Sequence, residues 1–136
     1  MENFREKEIC NIPYDEMMGL VGKGTYLLIV SIGKNGGVKK RVINHLHHRN
    51  FDDGTDTFHF ELPEYVIGGF AFTYHQQNVS GALEYAPNIK DKFICSSLEE
   101  VNEVYSSWLN CSETKQTRKN KIRELINKLE KQYNSI

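Results

Sequence analysis

Histidines crowd one short stretch of this chain, residues 44–49, where imidazole chemistry is possible. Imidazole titrates near neutral pH, and it binds divalent ions as well as anionic groups. His45 and His47 are separated by one residue, so on a β-strand both project to the same face, together with Lys39 and Arg41. The spacing therefore predicts a strand face that carries both fixed and titratable positive charge.

A second histidine-bearing strand is predicted after an acidic loop. Strict alternation over residues 57–62 sends Phe58 and Phe60 to one face and His59 and Glu61 to the other. We expect this strand to return antiparallel beside the first, in the register that buries the apolar side chains together. The expected pairs are His45 with His59, His47 with Thr57, and Ile43 with Glu61. The candidate site consists of Lys39, Arg41, His45, His47, His59 and Glu61.

Three interpretations of this face remain open. It is a solvated or helix-covered polar surface, a surface for an anionic partner, or a site where imidazoles and a carboxylate hold a divalent metal ion. Lys39 and Arg41 favour an anion and oppose a bound cation. The acidic loop at residues 52–56 imitates a calcium loop but lacks its spacing, and we interpret it as a solvated turn.

The segment His45-Leu46-His47 resembles the histidine-hydrophobic-histidine strand of rolling-circle replication initiators and relaxases. The resemblance implies that the two histidines hold a divalent ion and that a tyrosine on a downstream helix attacks a DNA phosphate. Tyr105 and Tyr133 fall on predicted helices, but neither is followed three or four residues later by the lysine that often accompanies that nucleophile. Tyr105 also lies on an apolar stripe, as a core residue does.

No other catalytic or cofactor motif is present in the sequence. It has no phosphate-binding glycine loop, no Gly-x-Ser-x-Gly and no His-Glu-x-x-His, so we expect no cofactor. The three cysteines, Cys10, Cys95 and Cys111, are odd in number and lack Cys-x-x-Cys spacing, which is typical of reduced thiols in a cytosolic protein. The charged amino terminus has no secretory-signal pattern, and we expect a cytoplasmic location.

The elements that must position these residues are mainly strands followed by helices. Pro13 begins a short predicted helix that ends near Leu20. Within residues 24–95 the alternation and turn signals predict an antiparallel sheet of about five to six strands. These are 24–32, 38–47, 57–62, 65–75, 79–85 and 92–95. Asn35-Gly36 marks a hairpin between the first two because it supplies the positive φ angles of a tight turn.

Two helices are predicted over residues 97–134. Ser97 with Glu100 forms a capping box, and apolar residues at helical spacing follow it. The second helix, from about Glu113 to Tyr133, carries an apolar stripe for packing on the sheet or on a second copy of the chain. The pattern indicates one α+β domain over residues 1–136, with an arm and short helix at 1–22, the sheet at 24–95 and two helices at 97–134.

Charge and length limit the classes of function that are compatible with this sequence. The chain has 136 residues, with 17 basic and 18 acidic side chains, and a net charge of −1 excludes a polycationic nucleic-acid binder. Residues 111–136 are locally basic, net +4, and we interpret this charge as a solvated helix face, with a contact to phosphates or to an acidic protein as the alternative. The longest apolar run, residues 26–30, is far shorter than the roughly 18 residues of a membrane span, so no membrane partner is expected.

The leading hypothesis is a non-catalytic binding protein, an inhibitor, immunity or accessory protein. Its expected partner is a protein or another anionic ligand, such as a nucleotide or nucleic acid, bound at the cationic, histidine-bearing face. A homodimer is also allowed. The alternative is a metal-dependent, nuclease-like phosphoryl-transfer enzyme that uses His45 and His47.

Overall fold

The computed structural model describes the backbone of residues 3–44, 46–50, 55–62, 65–75, 83–85 and 90–136, and the side chains of residues 3–44, 46 and 90–136. Two short 3-10 helices (Phe4–Lys7 and Ile9–Asn11) precede the helix α1 (Tyr14–Leu20). The strands are β1 (Tyr26–Ile32), β2 (Val38–Ile43), β3 (Leu46–Asn50), β4 (Thr55–Leu62), β5 (Tyr65–His75), β6 (Leu83–Tyr85) and β7 (Lys92–Cys95). The chain continues into α2 (Leu98–Asn110) and α3 (Ser112–Asn134).

The architecture is α+β, with a three-stranded antiparallel sheet in the order β2-β1-β7 and two C-terminal helices. The predicted single sheet of five to six strands is not confirmed, because β3 to β6 form a second, four-stranded sheet in chain order. The strand expected over residues 38–47 is divided between the two sheets. Ile43 and Leu46 are both buried in one cluster, although residues three apart on a straight strand point to opposite faces, so the two residues do not belong to one straight strand.

The hairpin between β1 and β2 is confirmed, with Ile32 opposite Val38. Its turn differs in detail from the expectation. Within residues 33–37 only Gly36 adopts a positive φ, 81°, while the Asn35 side chain accepts a hydrogen bond from the Gly37 amide at 2.9 Å. Asparagine therefore stabilises this turn through its side chain, and glycine supplies the left-handed backbone.

Each face of the three-stranded sheet packs on a different layer. One face buries Leu28, Val30 and Phe93 against α2, where Val101, Val104 and Trp108 are almost fully buried. At one end of the other face, Leu27, Ile43 and Ile94 pack with Ile9, Ile12, Met17 and Leu46. The remaining part of that second face carries the polar and charged residues of interest.

The capping box predicted for α2 is confirmed on one side. Ser97 Oγ accepts a hydrogen bond from the Glu100 amide at 3.1 Å. The Glu100 carboxylate, however, accepts from the amide and hydroxyl of Ser96, one residue earlier than the reciprocal bond of a capping box. Helix α2 thus begins where the sequence predicts.

Helix α3 is attached to the rest of the fold through its N-terminal half. Thr114 is buried, and Arg118 and Ile122 reach the β1–β2 turn at Gly36. Beyond Ile122 every residue of the helix is exposed, so the predicted packing of its apolar stripe on the sheet is not observed. No helix in the described part of the chain is both long and apolar enough to cross a bilayer.

Candidate functional site

Two of the predicted site residues, Lys39 and Arg41, lie on β2 and are exposed. Lys39 is opposite Ser31 of β1, and Arg41 is opposite Ile29. Directly opposed residues share a face, so the two cations stand on the side of the sheet that faces away from α2, about 7 Å apart along the strand. The prediction that the two side chains share one face agrees with this register.

Lys40, between these two cations, points the other way. Its Nζ lies 4.6 Å from the centroid of the Tyr105 ring in α2, a cation–π contact. Tyr105 also stacks on Trp108, with 6.2 Å between the ring centroids, so this tyrosine contributes to the packing of α2. Of the three consecutive basic residues, two face solvent and one joins the sheet to the helix.

Lys92 extends the cationic row onto the third strand. It is opposite Ile29 on β1, which is itself opposite Arg41, so the three residues form one line across the sheet. Arg41 and Lys92 are separated by two strand spacings, about 10 Å. Lys92 is only 8% exposed; burial lowers its pKa, and Asp91 partly offsets that effect. We call Ile29, Ser31, Lys39, Arg41 and Lys92 the cationic face.

A groove of about 270 Å³ continues from the cationic face to the sheet edge. Its lining includes Lys90, Lys92 and Lys121, with Thr117 of α3 and residues 29–32 of β1. β7 begins at Lys92, and within the described residues the pairing on this side of β1 extends to the Val30 amide, which donates a hydrogen bond to the Asp91 carbonyl at 3.1 Å. The groove shares Ile29, Ser31 and Lys92 with the cationic face and adds Lys90 and Lys121.

The acidic group in this groove is engaged elsewhere. The Asp91 carboxylate accepts a hydrogen bond from Arg5 Nη1 at 2.6 Å, and its amide donates to Glu8 at 2.8 Å. Lys90 makes an ion pair of 3.2 Å with Glu113 at the start of α3. Lys92 and Lys121 also line the groove.

The histidines lie on the other sheet. His45 is outside the described residues, and the side chains of His47, His59 and Glu61 are outside the described side chains. On the backbone, His47 of β3 is opposite His59 of β4. The predicted register, with His47 opposite Thr57, is wrong by two residues: Arg49 takes the place opposite Thr57. Because the shift is even, it keeps the alternation of faces but changes which residues are neighbours.

Leu46 occupies the first position of this register. That residue is buried at 5% exposure in the cluster with Leu27 and Ile43, and it is opposite Phe60 on β4. Sequence reasoning treated residues 38–47 as one strand, and the start of the second strand at Leu46 could not be read from alternation. Lys39 and Arg41 thus belong to one sheet and His47 and His59 to another, so they share no single sheet face.

Metal-ligating groups do not cluster within the described side chains. Among them, no group of three or more histidine, cysteine, aspartate or glutamate residues is placed to hold a metal ion. The three cysteines are free thiols, exposed at Cys10, buried at Cys95 and half-buried at Cys111. Burial raises the pKa of Cys95 to about 12, and Glu100 adds to this while Lys7 opposes it. Such a thiol stays protonated and unreactive at neutral pH.

Sequence reasoning missed Lys90, Lys92 and Lys121 as members of the site. The available signal was the alternation in Lys92-Phe93-Ile94-Cys95, which places the side chains of Lys92 and Phe93 on opposite faces of the strand. Without the β1–β7 pairing, that signal does not say which neighbours Lys92 has. Comparison of the chain with protein-family models, with curated proteins and with solved structures finds no significant match.

Proposed function

We propose that this protein is a non-catalytic binding protein whose cationic face and adjoining groove engage an acidic segment of a partner protein. The observation that carries the proposal is the exposed pair Lys39 and Arg41 on one face of the three-stranded sheet, beside a groove lined by lysines at the edge of that sheet. An inhibitory, immunity or accessory role in the cytoplasm is the class of function that we propose for such a surface.

The arrangement suits carboxylates on an extended or helical segment. Lys39 and Arg41 are about 7 Å apart, the spacing of alternate residues on a strand. Arg41 offers a planar fork that bonds a carboxylate through two parallel hydrogen bonds, while the lysines act as point charges. Ile29 lies between Arg41 and Lys92 and provides apolar contact at the centre of the row.

Two features favour a protein partner over a nucleic acid. The chain has a net charge of −1, so its attraction for anions is local to the cationic face and does not extend along a long polyanion such as a nucleic acid. The described residues of the cationic face include no aromatic ring on which a base could stack. Nucleotides and single-stranded DNA are therefore the competing ligands in the test.

The test is a charge reversal with a matched control. Lys39→Glu plus Arg41→Glu reverses the exposed pair, and Lys23→Glu plus Lys34→Glu makes the same change of net charge at exposed turn positions. The probes are a fluorescent oligoglutamate peptide and a fluorescent oligothymidylate, each titrated by fluorescence anisotropy at low and physiological salt. Melting curves of both variants verify that the fold is retained.

We expect the face variant to bind the oligoglutamate peptide at least about tenfold more weakly, which corresponds to about 1.4 kcal/mol, while the control variant changes little. Equal losses in the two variants would mean that only net charge matters, and the proposal would be wrong. Tighter binding of the oligothymidylate than of the peptide would mean that the partner is a nucleic acid and not a protein. A homodimer is proposed as well, through a separate surface on α3.

A further inference from the structure

The C-terminal half of α3 carries an apolar stripe that the fold leaves exposed. Ile122, Ile126, Leu129 and Tyr133 are 43%, 49%, 53% and 78% exposed. They follow one another at intervals of four, three and four residues, which is the a/d spacing of a coiled coil. A row of large apolar side chains on one helix face is unfavourable in water and typical of a contact surface.

We propose that a second copy of this chain covers the stripe, with the two α3 helices antiparallel about a two-fold axis between residues 127 and 128. In this register each apolar residue meets another. Ile122 packs on the partner's Tyr133, and Ile126 packs on the partner's Leu129, with the two symmetry-related layers completing the core. The interface is isologous, as closed dimers require.

Charge complementarity selects this register. Arg123 and Glu130 flank the stripe at equivalent positions, and in an antiparallel pair such positions face each other. With the axis between residues 127 and 128, Arg123 faces the partner's Glu130, and symmetry repeats the pair. A shift of one heptad in either direction instead brings Arg123 against the partner's Arg123, or Glu130 against the partner's Glu130. Both alternatives are repulsive.

The parallel arrangement is disfavoured by the same residues. In a parallel coiled coil, the residue at heptad position g, which directly precedes a core position, faces the partner residue five places further along the chain. Arg118 would then face the partner's Arg123, twice by symmetry, while Glu130 would face Leu125. Arg118 is moreover committed to the carbonyl of Gly36 within its own chain. The antiparallel pair has two attractive contacts where the parallel pair has two repulsive ones.

The experiment measures self-association of the full chain by sedimentation equilibrium over a wide range of protein concentration. The variants are Arg123→Glu, Glu130→Arg, and the two combined, with Lys128→Glu as the control on the opposite side of the helix. All three positions are exposed, and circular dichroism verifies that the helix is retained. None of the substituted residues belongs to the cationic face. The dimer proposal and the anion-binding proposal can therefore be disproved independently of each other.

We expect each single variant to raise the dimer dissociation constant by about tenfold, the combined variant to restore it, and Lys128→Glu to leave it unchanged. The sign of the Arg123→Glu effect distinguishes the two orientations. In a parallel pair this change would replace repulsion by attraction, so tighter association would overturn the antiparallel register. A wild-type chain that remains monomeric at every concentration would overturn the dimer itself.

Discussion

Arg118 of α3 donates a hydrogen bond from Nε to the carbonyl oxygen of Gly36, 2.9 Å away, and so joins the last helix to the turn of the first hairpin. The two residues are 82 positions apart in the chain. Ile122, one helical turn further, packs over the same glycine. This contact fixes where α3 leaves the fold and where its exposed stripe begins.

Gly36→Ala is expected to weaken that attachment. Gly36 has a φ of +81°, and a Cβ there would lie 2.6 Å from Ile122 Cγ1 and 3.0 Å from the Arg118 carbonyl oxygen. Gly22→Ala is the matched control, since its φ of +76° carries the same backbone cost with nothing within 4 Å. We expect a loss of about 1 kcal/mol in the control and about 2–3 kcal/mol at Gly36, measured by urea unfolding. Equal losses of unfolding free energy in the two variants would show that the close approach of α3 adds nothing to the cost at Gly36.

Arg5→Met is expected to destabilise the fold through the carboxylates that it leaves behind. Arg5 Nη1 lies 3.0 Å from Glu8 and 2.6 Å from Asp91, and the Glu8 side chain is only 10% exposed. An unpaired buried charge costs more than the pair contributes, so we expect a loss of about 2–3 kcal/mol in urea unfolding. Glu113→Gln, which removes the exposed 3.4 Å contact of the same arginine and the exposed ion pair with Lys90, should cost no more than about 1 kcal/mol. An Arg5→Met variant whose unfolding free energy equals that of the wild type would contradict this account.

Ser97→Ala tests the start of α2. The serine hydroxyl accepts the Glu100 amide hydrogen bond at 3.1 Å, and its removal leaves that donor without its cap. We expect a loss of about 1 kcal/mol, seen as a lower melting temperature by circular dichroism. Ser106→Ala, in the exposed middle of the same helix, should change the melting temperature little, because alanine has the better helix propensity. A larger effect at Ser106 than at Ser97 would argue against the cap.

Stability should fall at alkaline pH because of Cys95. The buried thiol has its pKa raised from its ordinary value of 9.0 to about 12. Above pH 9 the unfolded chain loses this proton while the folded chain keeps it, so the contribution is complete below pH 9 and is lost as pH rises toward 12. Cys95→Ala should flatten this part of the profile of unfolding free energy against pH relative to the wild type. Identical slopes in the variant and the wild type would contradict the assignment.

The part of the fold that local patterns control was accessible from sequence. The hairpin at Asn35-Gly36 and the onset of α2 at Ser97 both depend on residues within a few positions of one another, and both are observed. The pairing of β7 with β1 and the break before Leu46 depend on packing between distant segments. Alternation assigns residues to faces, and it does not say where one sheet ends and another begins.

The candidate site divides in the same way. The placement of Lys39 and Arg41 on one face follows from strand periodicity and agrees with the register. Lys92 and the groove required the third strand and α3, which no local pattern locates. The histidine pairing was wrong by two residues because burial of apolar side chains permits any even shift, and alternation alone does not distinguish one even shift from another.

Trp108 is the chain's single tryptophan, and it lies at 1% exposure on the side of the three-stranded sheet opposite Arg41. Its fluorescence therefore reports the integrity of one protein layer and is shielded by the sheet from anything that docks on the other. A charge variant that loses its ligand yet keeps the emission spectrum of the wild type has lost a contact and kept its core. One optical signal thus separates misfolding from failed recognition in every experiment on this surface.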